Sequence, residues 1–377
     1  MNAQDTLYTI ALSMIPSLGL TGKRLLADVP GGAATIFESR NDIRTIVPGA
    51  SQRLVDDIAH MDSLLGRAEQ EMEFAGKGNI RILCIGDGDY PHRLARCEDA
   101  PIVLYYRGNA DLNGRHVVGM VGTRRVTQYG IGFCQKFVAE LKDLCPDALV
   151  VSGLAYGVDV NCHRNAMRYG LPTVGVLAHG LDQIYPRGHR ETAIEMQKCG
   201  GLLTEFPAYT PLDKRYFLQR NRVIAGMSDA VVVVESARKG GSLRTAEYAG
   251  GYNRDVFAVP GRLSDPMSEG CNALIAENKA VILCGAAQLV ADMGWEMDAT
   301  QRKSLRDGIQ QELFPTLTED EGRIASSLSL DEAKGIDRLS CDTGINPGKL
   351  GSLLFGMEMK GVARKVAGGG YVLAMPR

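Results

Sequence analysis

Leu149-Val150-Val151-Ser152-Gly153-Leu154-Ala155-Tyr156-Gly157-Val158-Asp159 is the stretch on which the fold turns. A short β-branched run stops at small residues and a helix-compatible segment follows from Val158 to Tyr169, so the backbone turns at Ser152-Gly153 unhindered. A strand end feeding a helix N-terminus points free N–H groups and the positive end of the helix dipole at one spot, where glycine lets an anion approach. Taken alone, the stretch has two readings: a phosphate site, or a tight strand-to-helix turn that needs Gly153 and Gly157 only for its geometry.

Outward from it, strand character recurs at Val117 to Val121, Thr173 to Ala178, Gly201 to Glu205, Ala230 to Glu235, Val256 to Val259 and Val281 to Cys284. Helical periodicity lies between most of these runs, as at Ile131 to Leu144 and Arg187 to Lys198. Such alternation predicts a mainly parallel sheet with helices on both faces, a Rossmann-like α/β core, with ligands beyond the carboxyl ends of the strands. Ile80 to Ile85 and Pro101 to Tyr106 read as two further strands ahead of it.

Before the strands, Thr6 to Gly76 is helical and short-looped. Ile15 to Gly22 has the form of a helix-hairpin-helix turn, in which glycines bring backbone amides to a phosphate, or of a plain connection in a small bundle. After Trp295 comes a polar stretch, Glu296 to Glu312, that reads as a linker. Thr318 to Leu373 then reads as three short helices and a hairpin turning at Gly368-Gly369-Gly370, the order of a winged helix. Its third helix carries only Lys349 and Lys360 at its ends, with Phe355, Met357 and Met359 between, so a protein-facing role stands beside duplex binding.

At 377 residues the chain has room for two or three domains. Its formal charge of −2 predicts no tight binding to a polyanion through bulk charge, so a nucleic-acid surface must be local. Leu104 to Gly285 holds 21 Lys and Arg against 17 Asp and Glu and is the relatively basic part. The nine cysteines form no Cys-x-x-Cys pair and no zinc-spaced cluster, which points to reduced, mostly buried thiols and no metal site. No apolar run reaches the roughly 18 residues of a membrane span and the start lacks signal-peptide character, so a soluble, cytoplasmic protein is expected.

Four loops at expected strand ends suit phosphate oxygens: Gly119 to Arg124, Ser152-Gly153, Arg220 to Gly226, and Lys239 to Thr245 with Gly240, Gly241, Ser242 and Arg244. Four such loops along one sheet edge point to a phosphate-bearing ligand. Arg220 and Arg222 point apart on a helix, so one reaches a ligand while the other pairs internally; Arg124 and Arg222 are the expected contacts. The spacing Gly-x-Gly-x-x-Gly is missing at Gly119 to Gly122, which excludes NAD, and no Gly-x-x-x-x-Gly-Lys-Ser/Thr run makes a P-loop. No cofactor is expected. His163 and His179 have no spaced carboxylate or serine beside them and read as structural rather than acid/base groups.

Taken in order, Asp89-Tyr90-Pro91, Gly122-Thr123-Arg124, Tyr129-Gly130, Ser152 to Asp159, Tyr185-Pro186, Arg220 to Gly226, Gly241-Ser242-Leu243, Thr245-Ala246 and Val259-Pro260-Gly261 resemble the DprA/Smf family of DNA-processing proteins. The resemblance is strong over residues 80 to 285 and weak in the flanks. It implies a helical SAM or helix-hairpin-helix-like domain (1–78), an extended Rossmann-like DNA-binding domain (79–294), a linker (295–317) and a winged-helix-like domain (318–377). It also implies a non-catalytic bacterial recombination mediator that binds and protects incoming single-stranded DNA in natural transformation, helps load RecA, and forms homodimers.

By position, the strand site implied is Gly122, Thr123, Arg124, Ser152, Gly153, Arg220, Asn221, Arg222, Lys239, Gly240, Gly241 and Ser242, with Arg187 adding charge at the rim. Tyr156, Tyr185, Tyr216 and Phe217 are candidate base stackers, of which at most one is expected to serve. Gly240 stands where the family usually has serine, Leu218 where it has proline, and His189 where asparagine is frequent. The alternative is an enzyme: Gly240 to Glu247 is close to the Gly-Gly-x-Gly-Thr-x-x-Glu loop of nucleoside-monophosphate phosphoribohydrolases, but Leu243 or Arg244 disrupts its second glycine.

Overall fold

The computed structural model describes residues 2–295, 317–329, 333–360, 362–366 and 370–373. The expected linker and the triple-glycine turn lie outside these residues, apart from Trp295, Leu317 and Gly370. The chain divides into two compact units, Met1–Glu296 and Met297–Arg377.

The first unit opens with helices α1 (Ala3–Ser13), α2 (Leu20–Ala27), α3 (Gly32–Glu38), α4 (Gln52–Ala59) and α5 (Asp62–Lys77). Asn2 and Ser51 start α1 and α4 by accepting from the amides of Asp5 and Leu54, which satisfies donors that a helix start leaves free. The apolar faces of these helices, among them Ile10, Leu12, Ile36 and Ile58, join one continuous core with Leu83, Leu104 and Val174 of the sheet.

The sheet follows: β1 (Arg81–Cys84), α6 (His92–Ala95), β2 (Val103–Gly108), β3 (Val117–Val121), α7 (Gln128–Leu144), β4 (Leu149–Ser152), α8 (Val158–Tyr169), β5 (Thr173–Leu177), α9 (Arg190–Cys199) and β6 (Gly200–Thr204). It is completed by α10 (Lys214–Met227), β7 (Ala230–Val233), α11 (Gly241–Gly251), β8 (Asp255–Ala258), α12 (Glu269–Ala276), β9 (Val281–Ile282) and α13 (Ala286–Asp292). The strand order is β1-β2-β6-β5-β4-β3-β7-β8-β9. From β6 to β9 all neighbours are parallel, while β2 is antiparallel to both β6 and β1. The central strands are buried throughout, as expected where helices cover both faces.

Helices α7, α8 and α9 pack in series on one face and α10 against α11 on the other, the arrangement that right-handed crossovers produce for this strand order. Strand order reverses between β3 and β7, so the crevice where such sheets take ligands opens there. The helix expected from Arg187 starts as a 3₁₀ turn, Arg187–His189, and becomes α-helical at Arg190.

The second unit holds helices Glu319–Ser327, Ile336–Thr343 and Pro347–Met359, then antiparallel strands Ala363–Lys365 and Tyr371–Leu373. Thr318 and Glu321 form a capping box at its first helix. Ile324, Leu339, Leu350, Leu354 and Tyr371 make a core of its own.

Candidate nucleic-acid interface

Each loop that the sequence assigns to phosphate lies at the carboxyl edge of the parallel strands or on α10 above it, but several of their donors are already taken by carboxylates of the same chain. At the β3/β7 crevice, Glu235 accepts from the Thr127 amide at 2.9 Å and its hydroxyl at 2.5 Å, occupying the N-terminus of α7. Thr127 in turn caps α7 by accepting from Gly130. Gly122 is required here by packing: a Cβ would lie 2.4 Å from Val158 and 2.9 Å from the Glu235 carbonyl. The Thr123 amide donates to that carbonyl at 2.7 Å, and the Thr123 hydroxyl accepts from the Arg125 amide at 3.1 Å.

The opening stretch is closed in the same manner. Asp159 reaches back from the first turn of α8 and accepts from the amides of Gly153 and Ala155 at 3.2 and 3.3 Å. Burial raises its pKa, against the opposing field of Arg220. The Ser152 hydroxyl donates to the Met120 carbonyl at 2.6 Å and is fully buried. Of the two readings of Ser152-Gly153, the structure thus realises the tight turn, its anion supplied internally. In the N-terminal helical segment, the amide of Ser17 in the Ile15 to Gly22 turn likewise donates to Asp57 at 3.2 Å.

Arg220 and Arg222 do point apart, and both are committed. Arg220 donates to the carbonyls of Gly153, at 2.6 Å, and Val176, so it ties the ends of β4 and β5. Burial pushes its pKa down to about 10, which leaves it charged at neutral pH. Arg222, expected to contact ligand, is 1% exposed and pairs with Glu205 at 2.5 Å while donating to the Asp99 carbonyl. It turns to the β2/β6 side while Arg220 turns to the ends of β4 and β5, because i and i+2 lie on nearly opposite sides of a helix. Asn221 links the two helices through Gly241, its amide donating at 3.3 Å.

What stays open is a rim of cations and rings. Arg124 is exposed, its guanidinium 5.6 Å from the Phe217 ring centroid, and Phe217 meets Tyr185 edge-on at 5.6 Å. Tyr156, 52% exposed, rests edge-on against His189 at 4.7 Å, and His189 is fixed by the Leu154 carbonyl at 2.8 Å. Arg187 and Lys239 are exposed and form no ion pair among the described residues. Gly241 is exposed at the start of α11, which has no side-chain cap, so its amide remains available. Gly240 is the α11 N-cap, and a Cβ there would lie 2.1 Å from the Ser236 hydroxyl. Ser236 accepts from Ser242 at 2.9 Å, so a serine from the preceding turn fills the space beside the glycine. Arg244 is exposed but pairs with Glu247 at 2.6 Å.

Three carboxylates outside the expected site residues, Asp159, Glu205 and Glu235, shape the site, and the last two stand directly at strand ends in the sequence. His163 is fully buried, holds the Thr173 hydroxyl at 2.7 Å, and has its pKa pushed down to about 3 by burial, so it is neutral near pH 7. His179 uses both ring nitrogens, toward the Gly180 carbonyl and the Tyr185 amide. Both are structural. No group of metal-ligating side chains occurs among the described residues, and no described helix is long and apolar enough to cross a membrane.

Comparison with known proteins agrees with this architecture. The family described as DNA recombination-mediator protein A matches residues 81–294. Protein Smf of Synechocystis is 32% identical over 84% of this chain and 82% of its own length, and DNA processing protein DprA of Bacillus subtilis is 40% identical over 54% and 68%. The X-ray structure of DprA from Streptococcus pneumoniae, 28% identical, superposes with a TM-score of 0.64 over 76% of this chain and 97% of that one. A Helicobacter pylori DprA structure, whose subject is its single-stranded DNA binding mode, matches at 28% identity and a TM-score of 0.51 over 60% of this chain and 96% of that one. By the family match across most of the α/β core and the similarity to Smf along most of its length, the chain belongs to the DprA/Smf family of DNA-processing proteins.

Proposed function

We propose that this protein is a non-catalytic recombination mediator that binds single-stranded DNA along the carboxyl rim of its sheet. The observation that carries the reading is the rim itself: Arg124 stacked on Phe217 beside Tyr185, with Arg187 and Lys239 exposed, while Asp159, Glu205 and Glu235 are turned inward. Cations there meet phosphates without repulsion from the edge carboxylates, and the rings offer faces to unstacked bases, which needs no sequence readout. The family's wider role, protecting incoming strands in natural transformation and helping to load RecA as a cytoplasmic homodimer, is part of the same proposal.

The test is fluorescence anisotropy with single- and double-stranded oligonucleotides of matched sequence. Wild type binds the single strand more tightly, and the logarithm of its affinity falls linearly with the logarithm of salt concentration. Arg124→Ala removes a charge-assisted contact of about 1.5–3 kcal/mol, a loss of roughly 10- to 150-fold. Equal affinity for both DNA forms, or an Arg124→Ala protein that binds as wild type does, defeats the proposal.

A further inference from the structure

The rim continues onto one outer face of the sheet. From Leu112 to Ala139 and from Val160 to Leu181 the chain contains no Asp or Glu, although acidic residues slightly outnumber basic ones overall. These spans hold the start of α7 and nearly all of α8, helices that pack side by side. α8 begins at the rim beside Tyr156 and runs back along the sheet for about 18 Å at 1.5 Å per residue. Its outward side carries Asn161, Arg164, Asn165 and Arg168, and its one carboxylate, Asp159, is buried in the turn.

Neither arginine forms an ion pair among the described residues: Arg164 donates to the Thr192 hydroxyl at 3.3 Å, and Arg168 lies 5.8 Å from the Tyr169 ring centroid. The two stand four residues apart on the helix, about 6 Å along the axis. On the α7 side the seam is closed by neutral and basic groups, Gln135 donating to the Tyr169 hydroxyl and Lys142 to the Gly170 carbonyl. On the other side α9 exposes Glu191 and Glu195, which bound the acid-free ground.

We propose that the outer face of α8 is a second, phosphate-tracking segment of the single-strand footprint, with Arg164 and Arg168 holding backbone phosphates of nucleotides that have passed the rim. The inference rests on the single-strand reading of the rim and extends it in length. It makes the rim the place where bases are gripped and α8 a track that holds charge alone.

The experiment measures the salt dependence of binding for oligothymidines of about 6 and about 20 nucleotides, the longer one exceeding the roughly 4–16 nucleotides that a single fold typically covers. In the Arg164→Ala, Arg168→Ala double variant the long oligomer loses about 1.4 from the slope of log affinity against log salt, at about 0.7 per phosphate contact, and the short oligomer is unaffected. The Arg164→Lys, Arg168→Lys protein keeps the wild-type slope, since a point charge suffices for a phosphate. Both pairs are exposed, and unchanged urea melts show that the variants are folded. An unchanged slope for the long oligomer in the alanine variant overturns the track while leaving the rim intact. Failure of the wild type to bind either oligomer overturns the rim and the track together.

Discussion

Replacing Arg222 by alanine leaves the Glu205 carboxylate, 7% exposed, without its cation. Breaking a buried pair from one side costs about 3–5 kcal/mol, so Arg222→Ala lowers the urea midpoint steeply, while the fraction still folded binds single strands as wild type does. Arg124→Ala does the reverse. Its guanidinium is exposed and pairs with no carboxylate among the described residues, so the urea midpoint stays within experimental error while binding falls. If Arg222→Ala melts like wild type and loses binding, the assignment of these two arginines is inverted. The adjacent motifs Gly122-Thr123-Arg124 and Arg220-Asn221-Arg222 therefore divide their labour: one arginine is offered outward, and two hold the strand ends and the β2/β6 side of the core in place.

At the scale of elements, the start of α7 and the turn that leads into α8 are anion sites whose anions, Glu235 and Asp159, are built in. Glu235 stands 108 residues from Thr127 in sequence, yet fills the crevice where a parallel sheet of this order would seat a nucleotide phosphate. Its removal frees the α7 start: Glu235→Ala costs about 1–3 kcal/mol from orphaned donors, and sulfate then raises the melting temperature of the variant more than that of wild type. A variant indifferent to sulfate would show that the carboxylate only plugs space. This is also where the sequence stops being legible. Strands such as Val117–Val121 and Leu149–Ser152 are set by local β-branched runs and can be read directly, as can α8, framed by Gly157 and Gly170. The glycine loops are legible as turns but not as vacant or filled sites, since filling depends on a carboxylate brought in by the sheet topology. Asp159 differs in being local: it stands six residues beyond Gly153, in the first turn of α8, and needs no sheet crossing to reach that amide.

For the whole molecule, the question is which part of the chain does the binding. Every residue of the proposed rim and track lies in the first unit, whose helical segment and sheet share one core. The second unit has its own core, and the cations framing its third helix are spent: Lys349 pairs with Asp320 at 2.6 Å and Lys360 with Glu321 at 2.8 Å. Glu321 is held below the usual carboxylate range by that lysine and by the Thr318 amide, so the second pair persists at neutral pH. A helix that reads a duplex needs free cations to meet phosphates, and the two that frame this one are held by carboxylates of the same unit. A chain ending at Glu296 should therefore keep single-strand affinity within about twofold and keep the same salt slope, because no counterion-releasing contact is removed. Anisotropy on the truncated and full-length proteins decides it: a tenfold loss, or a slope lower by about 0.7 or more, would place phosphate contacts in the second unit and return its third helix to a role in DNA binding.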